Sequence, residues 1–243
     1  MILQNFTQVE LVRGFLSFIF VVISFIIGTK ISLNYFHYKV KQYLTLGLSW
    51  IFLSASWWWP TFNFIFLLFF NLGLDNFTYL ILANVFIPIA ILCWIYSFST
   101  LVYPHFKTQI MIAFSVICIP YEILLIIFLI INPELVGVEI SPNIIQRTPL
   151  TFYFAIFAIV IAFTTGIIFA KKSMNSEDPK IRWKGRFLLI AFIFFTFGAA
   201  MDSFSWENLI LVFIIRLLLI LSSINYYLGF FLPDSFADRL IKE

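Results

Sequence analysis

Two ionisable residues, Glu122 and Arg216, lie deep inside long apolar segments of the sequence. A charged side chain at the centre of a membrane-spanning helix costs about 3 kcal/mol, so such residues are rare unless they are paired or functional. At 1.5 Å per residue, Glu122 lies about 20 Å and Arg216 about 15 Å from the ends of their segments, which places both near mid-bilayer. We therefore predict that the carboxylate and the guanidinium pair inside a helix bundle.

The predicted pair leaves three interpretations open. A buried ion pair can serve only to fix which helices are neighbours, because its energy often breaks even against apolar packing. The pair can instead be a switch that responds to a ligand or to a proton. In the third case the two groups stay apart, each hydrated in a water-filled cavity. Pairing requires the two groups to lie within hydrogen-bond reach.

Further polar residues follow the same helical faces. Residues spaced at i, i+7 and i+11 share one side of a helix, and this spacing relates Arg216 to two residues that follow it. Such groups usually form hydrogen bonds between helices. If the bundle closes, they converge on one interior, which is the default position of a ligand pocket. The predicted ligand-binding or switch residues are Glu122, Arg216, Ser115, Asn84, Ser223 and Tyr227.

The composition requires a membrane around these residues. Of the 243 residues, 62% are hydrophobic and only 11% are charged, and the mean hydropathy is +1.02. Soluble domains carry about 25% charged residues, so this chain has too few charges to cover a water-facing surface. The two cysteines lie in apolar runs and give neither a disulfide framework nor a metal-ligand motif. We predict a single all-α integral membrane domain over residues 1–243, embedded in the lipid bilayer of the cell membrane.

Seven segments are long and apolar enough to cross a bilayer as helices, which requires roughly 20 residues each. The sixth is short and is expected to begin in the basic loop near Trp183. Residues 233–243 are predicted to form a short cytoplasmic tail. The predicted spans are Leu11–Thr29, Tyr43–Phe70, Phe77–Tyr103, Gln109–Ile131, Leu150–Ala170, Phe187–Met201 and Trp206–Leu232.

The basic residues orient this seven-helix bundle. Loops rich in Lys and Arg stay cytoplasmic, and with seven crossings twelve of the 15 Lys and Arg residues fall on one side. The N-terminus is therefore predicted outside and the C-terminus inside. Asp202 and Glu207 flank an outer turn and are expected to be solvated loop residues. The basic residues predicted to contact anionic lipid headgroups or a protein partner are Lys171, Lys172, Arg182, Lys184 and Arg186.

The second span contains Pro60 and is longer than the hydrocarbon core, which leaves two arrangements open. A proline disfavours helical backbone in the residue before it, so Trp59 either ends the helix or marks a kink. In the first arrangement, Trp57, Trp58 and Trp59 form a belt at the outer interface. We favour the second, a long kinked helix.

Several functions lack the residues that they need. The two histidines, His37 and His105, fall in short loops, so no buried pair is available for a membrane haem. No set of zinc ligands, no serine with a histidine partner and no glycine-rich phosphate loop is present. The prolines of the first three spans have no counterparts in the last two, which argues against a transporter built from repeats. We expect no enzyme, no cofactor, no metal and no nucleic-acid partner.

The chain resembles the seven-helix membrane sensor regions of prokaryotic sensor histidine kinases. The segments that carry the resemblance are the basic entry to the sixth span, Arg182–Arg186, and the exit of the seventh, Leu228–Pro233. Only ten residues follow Pro233, so the kinase is missing; the resemblance then implies either that output passes to a separate protein or that the module has been reused. The topology is also similar to that of microbial rhodopsins, but the last span has no lysine in the stretch where that family attaches retinal.

These features predict a multi-pass, receptor-like sensor that binds a small apolar or amphipathic ligand inside the bundle. Its signal would reach a membrane or cytoplasmic protein partner through the last two spans. A non-signalling subunit or scaffold of a membrane complex is the alternative, and a small transporter is a second one.

Overall fold

Among the described residues, seven helical segments are long and apolar enough to cross a membrane, which confirms the predicted number of spans. The computed structural model describes residues 7–141, 144–204, 206 and 208–242. The chain is thus built as a multi-pass membrane protein. In order, spans 1 to 7 are Gln8–Tyr38, Lys41–Phe70, Asn76–Val102, Pro104–Ile131, Pro149–Met174, Pro179–Asp202 and Leu209–Phe231.

The spans are made of nine of the ten α-helices that the described residues form, with a two-stranded antiparallel hairpin between spans 4 and 5. Spans 2 and 3 each contain two helices. The tenth helix follows span 7. The elements are α1 (Gln8–Tyr38), α2 (Lys41–Leu53), α3 (Trp58–Phe70), α4 (Asn76–Asn84), α5 (Phe86–Val102), α6 (Lys107–Ile131), β1 (Gly137–Ser141), β2 (Ile144–Arg147), α7 (Pro149–Met174), α8 (Pro179–Asp202), α9 (Leu209–Phe231) and α10 (Asp234–Lys242).

Local sequence signals set the helix starts. Thr7 and Glu10 form a reciprocal capping box at the start of α1. The side chain of Asn208 accepts hydrogen bonds from the first backbone N–H groups of α9. Pro149 and Pro179 are the first residues of α7 and α8, where the backbone N–H that proline lacks would have no acceptor within the helix.

Proline also explains the two interrupted spans. Pro60 cannot donate to the carbonyl of Ser56, and the backbone just before it tightens into a 3₁₀ turn over Ser54–Trp57. Span 2 nevertheless continues through the turn. The three tryptophans at this point are only 4–7% exposed, so they belong to the core, and the interfacial belt is ruled out. In span 3, Pro88 cannot donate to Asn84, where α4 ends.

Six spans form a closed ring, in which spans 1, 2, 3, 5, 6 and 7 each pack on the next and span 7 returns to span 1. Span 4, which contains α6, packs mainly on α5 from outside the ring. Only 22% of its apolar stretch is buried, against 33–50% in the other spans. Residues on α6 are therefore poorly placed to meet residues on α9.

Large aromatic side chains fill the middle of the ring. Trp50 of α2 stacks on Tyr226 of α9, with ring centroids 3.7 Å apart. Phe195 packs against Trp50 at 5.6 Å, and Phe192 meets Tyr226 edge to face. Aromatic contacts of this kind close the interior at mid-height, so any cavity must lie to one side of them.

Two elements follow from no sequence prediction, the hairpin β1–β2 and helix α10. Residues 233–243 were predicted to be a plain tail, but α10 covers Asp234–Lys242 and packs on α8. Ala237 is 2% exposed and the ring of Phe236 lies 6.1 Å from that of Phe187. Glu243 lies outside the described residues.

Candidate ligand-binding site

The predicted ion pair between Glu122 and Arg216 is wrong. Arg216 has a carboxylate partner, but it is Asp202, whose Oδ2 lies 2.8 Å from Nη1 of the arginine. One carboxylate oxygen of Glu122 is buried without a hydrogen-bond partner in the described part of the chain. The reason is the ring of spans: α9 packs on α8 and α1, whereas α6 packs on α5.

Asp202 is the centre of a buried polar cluster, not a solvated loop residue. It is the last residue of α8, where the helix dipole disfavours a negative charge, so it needs compensating donors. Arg216 supplies one positive charge, and the indole nitrogen of Trp57 donates to the same Oδ2 over 2.8 Å. The side chain of Arg216 is 3% exposed and that of Asp202 is 28% exposed. Glu207, the other acidic residue of this turn, lies outside the described residues.

Arg13 of α1 adds a second positive charge beside this ion pair. Its Nη2 donates to the carbonyl of Trp206 over 2.8 Å, which ties span 1 to the segment between spans 6 and 7. The guanidinium lies within electrostatic range of Arg216 and Asp202. Both Nε and Nη1 of Arg216 are buried without an aligned hydrogen bond in the described region. The cluster thus holds two arginines around one aspartate.

A cavity of about 800 Å³ opens beside Asp202, at the end of the bundle where α1 begins. This volume is within the range of small-molecule sites. Spans 2, 3, 5 and 6 and strand β2 contribute its walls. The lining side chains are Leu53, Ser56, Trp57, Tyr79, Ile87, Gln146, Arg147, Pro149, Phe152, Tyr153, Ala155, Ala158, Ile159, Phe195, Ala199, Asp202, Ser203, Phe204 and Trp206.

The cavity is polar at its rim and apolar at depth. On α7 the lining runs from Pro149 to Ile159, which is about 15 Å along the helix. The two charged groups lie at the rim: Arg147 shortly before the start of α7, and Asp202 at the end of α8. Small side chains such as Ala158 leave the deeper space open. This gradient matches an amphipathic molecule with its polar end at the rim.

Comparisons with protein-family models, with curated proteins and with solved structures gave no match.

Arg147 is held at the rim by the hairpin. It pairs with Gly137 in the antiparallel register of β1 and β2. Two threonines at the start of α7 anchor this segment, because Thr148 donates to the carbonyl of Leu135 and Thr151 to that of Val136, each over 2.8 Å. Val136 itself is fully buried. The guanidinium is half-buried and has no hydrogen bond within the described residues.

The predicted polar face of α9 exists, but it is directed at α1. Ser223 lies with its Oγ 3.3 Å from that of Ser24, and the hydroxyl of Tyr227 accepts a hydrogen bond from Lys30 over 2.9 Å. Lys30 also lies over the ring of Tyr227, at 4.9 Å. These two residues join parallel helices well below the cavity and do not line it.

The remaining predicted site residues also lie outside the cavity lining. Asn84 is buried and donates to the carbonyl of Leu80 in its own helix over 2.8 Å. Ser115 lines an open, mostly apolar groove on α6, together with Tyr96 and Lys107. Glu122 lies on the same peripheral helix. The structure thus does not bring the six predicted residues together in one interior.

The basic residues predicted to contact lipid or a partner lie together at the other end of the bundle. Lys172 donates to the carbonyls of Leu101 and Val102, so it caps the end of α5. The charge of Arg186 lies 4.3 Å from the ring of Trp183. On this surface Lys171, Arg182 and Arg186 are exposed, and Lys184 is half-buried.

An exposed ion pair between Lys180 and Asp234 tethers α10 to the start of α8. A hydrogen bond from Lys180, and its positive charge, lower the pKa of Asp234. The tether is therefore complete above the usual pKa of an aspartate and weakens as the pH falls through the lowered value. We expect the protection factors of the α10 amides, that is, the intrinsic exchange rates relative to the observed rates at the same pH, to fall under those acidic conditions. Asp234→Asn should show low protection at every pH, and the same pH dependence of protection in that variant as in the unmodified protein would contradict the tether. The effect is small and falls with salt.

Two residues of the site, Asp202 and Arg147, were not predicted to belong to it, although the sequence carries a signal for each. Asp202 directly follows the predicted end of the sixth span, so an aspartate at a helix end was available as a partner for Arg216. Arg147 and Arg13 were the two basic residues on the predicted acidic side, and Arg147, the one outside the predicted spans, lies at the rim of the cavity.

Proposed function

We propose that this protein is a receptor-like membrane sensor that binds a small amphipathic ligand in the cavity beside Asp202. The observation that carries the proposal is the gradient within that cavity, from charged groups at the rim to alanine and aromatic side chains at depth. In this proposal the N-terminus and the mouth of the cavity face the extracytoplasmic side of the cell membrane, the apolar depth of the cavity lies between the spans, and the basic surface is cytoplasmic.

Helix α8 connects the two ends. Phe195, Ala199 and Asp202 of its last two turns line the cavity, while its first turns carry the basic residues and contact α10. A ligand that displaces the end of α8 would therefore also move its first turns at the cytoplasmic surface, where a separate protein can bind. A protein docked there would carry the output that the resemblance to kinase-linked sensor regions implies.

Filling the cavity tests the proposal. We expect Ala158→Phe to weaken the saturable binding of dodecanol or dodecanoate by about tenfold or more, because the new ring occupies the space of the alkyl chain. The measurement is equilibrium binding of the radiolabelled amphiphile to protein in phosphatidylcholine nanodiscs. Ala113→Phe is the matched control, since Ala113 is exposed on the peripheral helix α6. Ala199→Phe fills the same cavity from α8.

Two results would count against the sensor. Equal binding by Ala158→Phe, Ala199→Phe and Ala113→Phe would show that the amphiphile does not enter the cavity. Recovery of the chain only with a stoichiometric membrane partner, without saturable binding, would favour the scaffold.

A further inference from the structure

We infer that the ligand carries an anionic oxyacid head, a carboxylate or a phosphate, on a single apolar chain, and that Arg147 recognises this head. The inference rests on the proposed ligand site and adds the charge of the ligand to it. It depends on which polar groups of the rim are already engaged and which remain free.

Several rim donors already have partners in the described region. The indole nitrogen of Trp57 donates to Asp202, and that of Trp206 donates to the carbonyl of Met201 over 2.7 Å. The hydroxyl of Ser203 donates to Ala199 over 2.9 Å. Arg147 is the positively charged donor of the rim that stays free, because its side chain makes no hydrogen bond within the described residues. A guanidinium offers a planar fork of donors that matches the two oxygens of a carboxylate or phosphate.

The electrostatics of the rim also favour an anion. Asp202 is the acidic residue of the described lining, and Arg216 already neutralises it. Arg13 stands behind the same pair, with Glu10 within its range near the start of α1. With Arg147 included, the arginines outnumber these two carboxylates. The aromatic walls could hold a cation by its attraction to ring faces, but the excess of arginines opposes this.

The apolar part of the ligand follows from the shape of the lining. From Arg147 the α7 wall continues through Phe152 and Ala155 to Ile159, and Phe195 packs on Trp50 at the floor. A head bound at Arg147 therefore places an alkyl chain along α7, about 15 Å deep and away from bulk water. The anionic head is then bound by the guanidinium of Arg147, and the alkyl chain lies among apolar side chains.

The test compares dodecanoate and dodecyl phosphate with dodecanol and dodecyltrimethylammonium, which share one chain length. Binding to the full chain in phosphatidylcholine nanodiscs should be about tenfold tighter or more for the two anions. The carboxylate and phosphate arms also distinguish the two possible heads. Arg147→Gln should remove this preference and leave dodecanol within about twofold of the unmodified protein.

The controls separate charge from folding. Arg239→Gln makes the same exchange at an exposed residue of α10, so it should keep the preference for anions. Arg147→Lys should restore part of it, since the charge returns without the planar fork. Equal affinity for dodecanol and both anions, tighter binding of the ammonium, or an unchanged preference in Arg147→Gln overturns the anionic head. In those cases the proposed ligand cavity is unaffected. If the unmodified protein binds none of the four amphiphiles saturably, both the ligand cavity and the anionic head are overturned.

Discussion

Asp202→Leu should lower the free energy of unfolding by about 3–5 kcal/mol. Removing one partner of a buried ion pair leaves the other charge uncompensated, and this costs more than the pair itself contributes. Here the remaining group is Arg216, whose side chain is only 3% exposed and lies close to a second cation, Arg13. Trp57 also loses the acceptor of its indole N–H. The measurement is the midpoint and slope of unfolding in a denaturing-detergent titration.

Removing the other partner, by Arg216→Leu, should lower the free energy of unfolding by a smaller amount. Arg216→Leu leaves Asp202, whose side chain is 28% exposed and keeps its hydrogen bond from Trp57, so water in the cavity can hydrate the charge. Arg216→Leu should therefore cost less than Asp202→Leu. Asp238→Leu, at an exposed residue of α10, controls for the loss of one acidic charge. A larger cost for Arg216→Leu than for Asp202→Leu would contradict this account. Unchanged stability with a lost ligand response would instead favour the switch.

The sequence predicted the spans well because each span is a local property. Apolar length and the caps at Thr7, Asn208 and Pro149 act within one or two turns, so hydropathy and charge locate the helices without knowledge of their neighbours. The observed ends differ by a few residues in most spans. Span 1 continues to Tyr38, about two and a half turns beyond its predicted end at Thr29.

The site depends on which spans are neighbours, and periodicity does not contain that information. The spacing of Arg216, Ser223 and Tyr227 correctly defines one face of α9, but it leaves open which helix that face meets. The face meets α1, because span 4 lies outside the ring. Two ionisable residues at similar depth, such as Glu122 and Arg216, therefore need not pair. The carboxylate that pairs with Arg216 is that of Asp202, the last residue of α8. Its position at a helix end led to the prediction that it is solvated.

Spans 1 and 2 approach each other closely at Gly28 and Gly47, and this contact predicts the second large effect. A Cβ atom at position 47 would collide with the backbone carbonyl of Gly28 and lie 2.8 Å from the backbone nitrogen of Ser32. A Cβ at position 28 would lie 2.7 Å from the carbonyl of Gly47. Backbone atoms cannot rotate away as a side chain can, so the helices must separate.

Gly47→Ala should therefore cost about 1–3 kcal/mol of stability, the usual penalty for forcing an extra methyl group into a packed contact. The same detergent titration measures it. Gly198→Ala should cost less, because its nearest neighbours, at 2.9 and 3.0 Å, are the side-chain atoms of Leu219. Gly73→Ala is the control, since no atom lies closer than 3.7 Å to the added methyl group. If Gly47→Ala is as stable as Gly73→Ala, the two spans do not approach this closely. The position of Trp50 and Phe195 at the floor of the cavity would then also change, because α2 carries Trp50 one turn beyond Gly47.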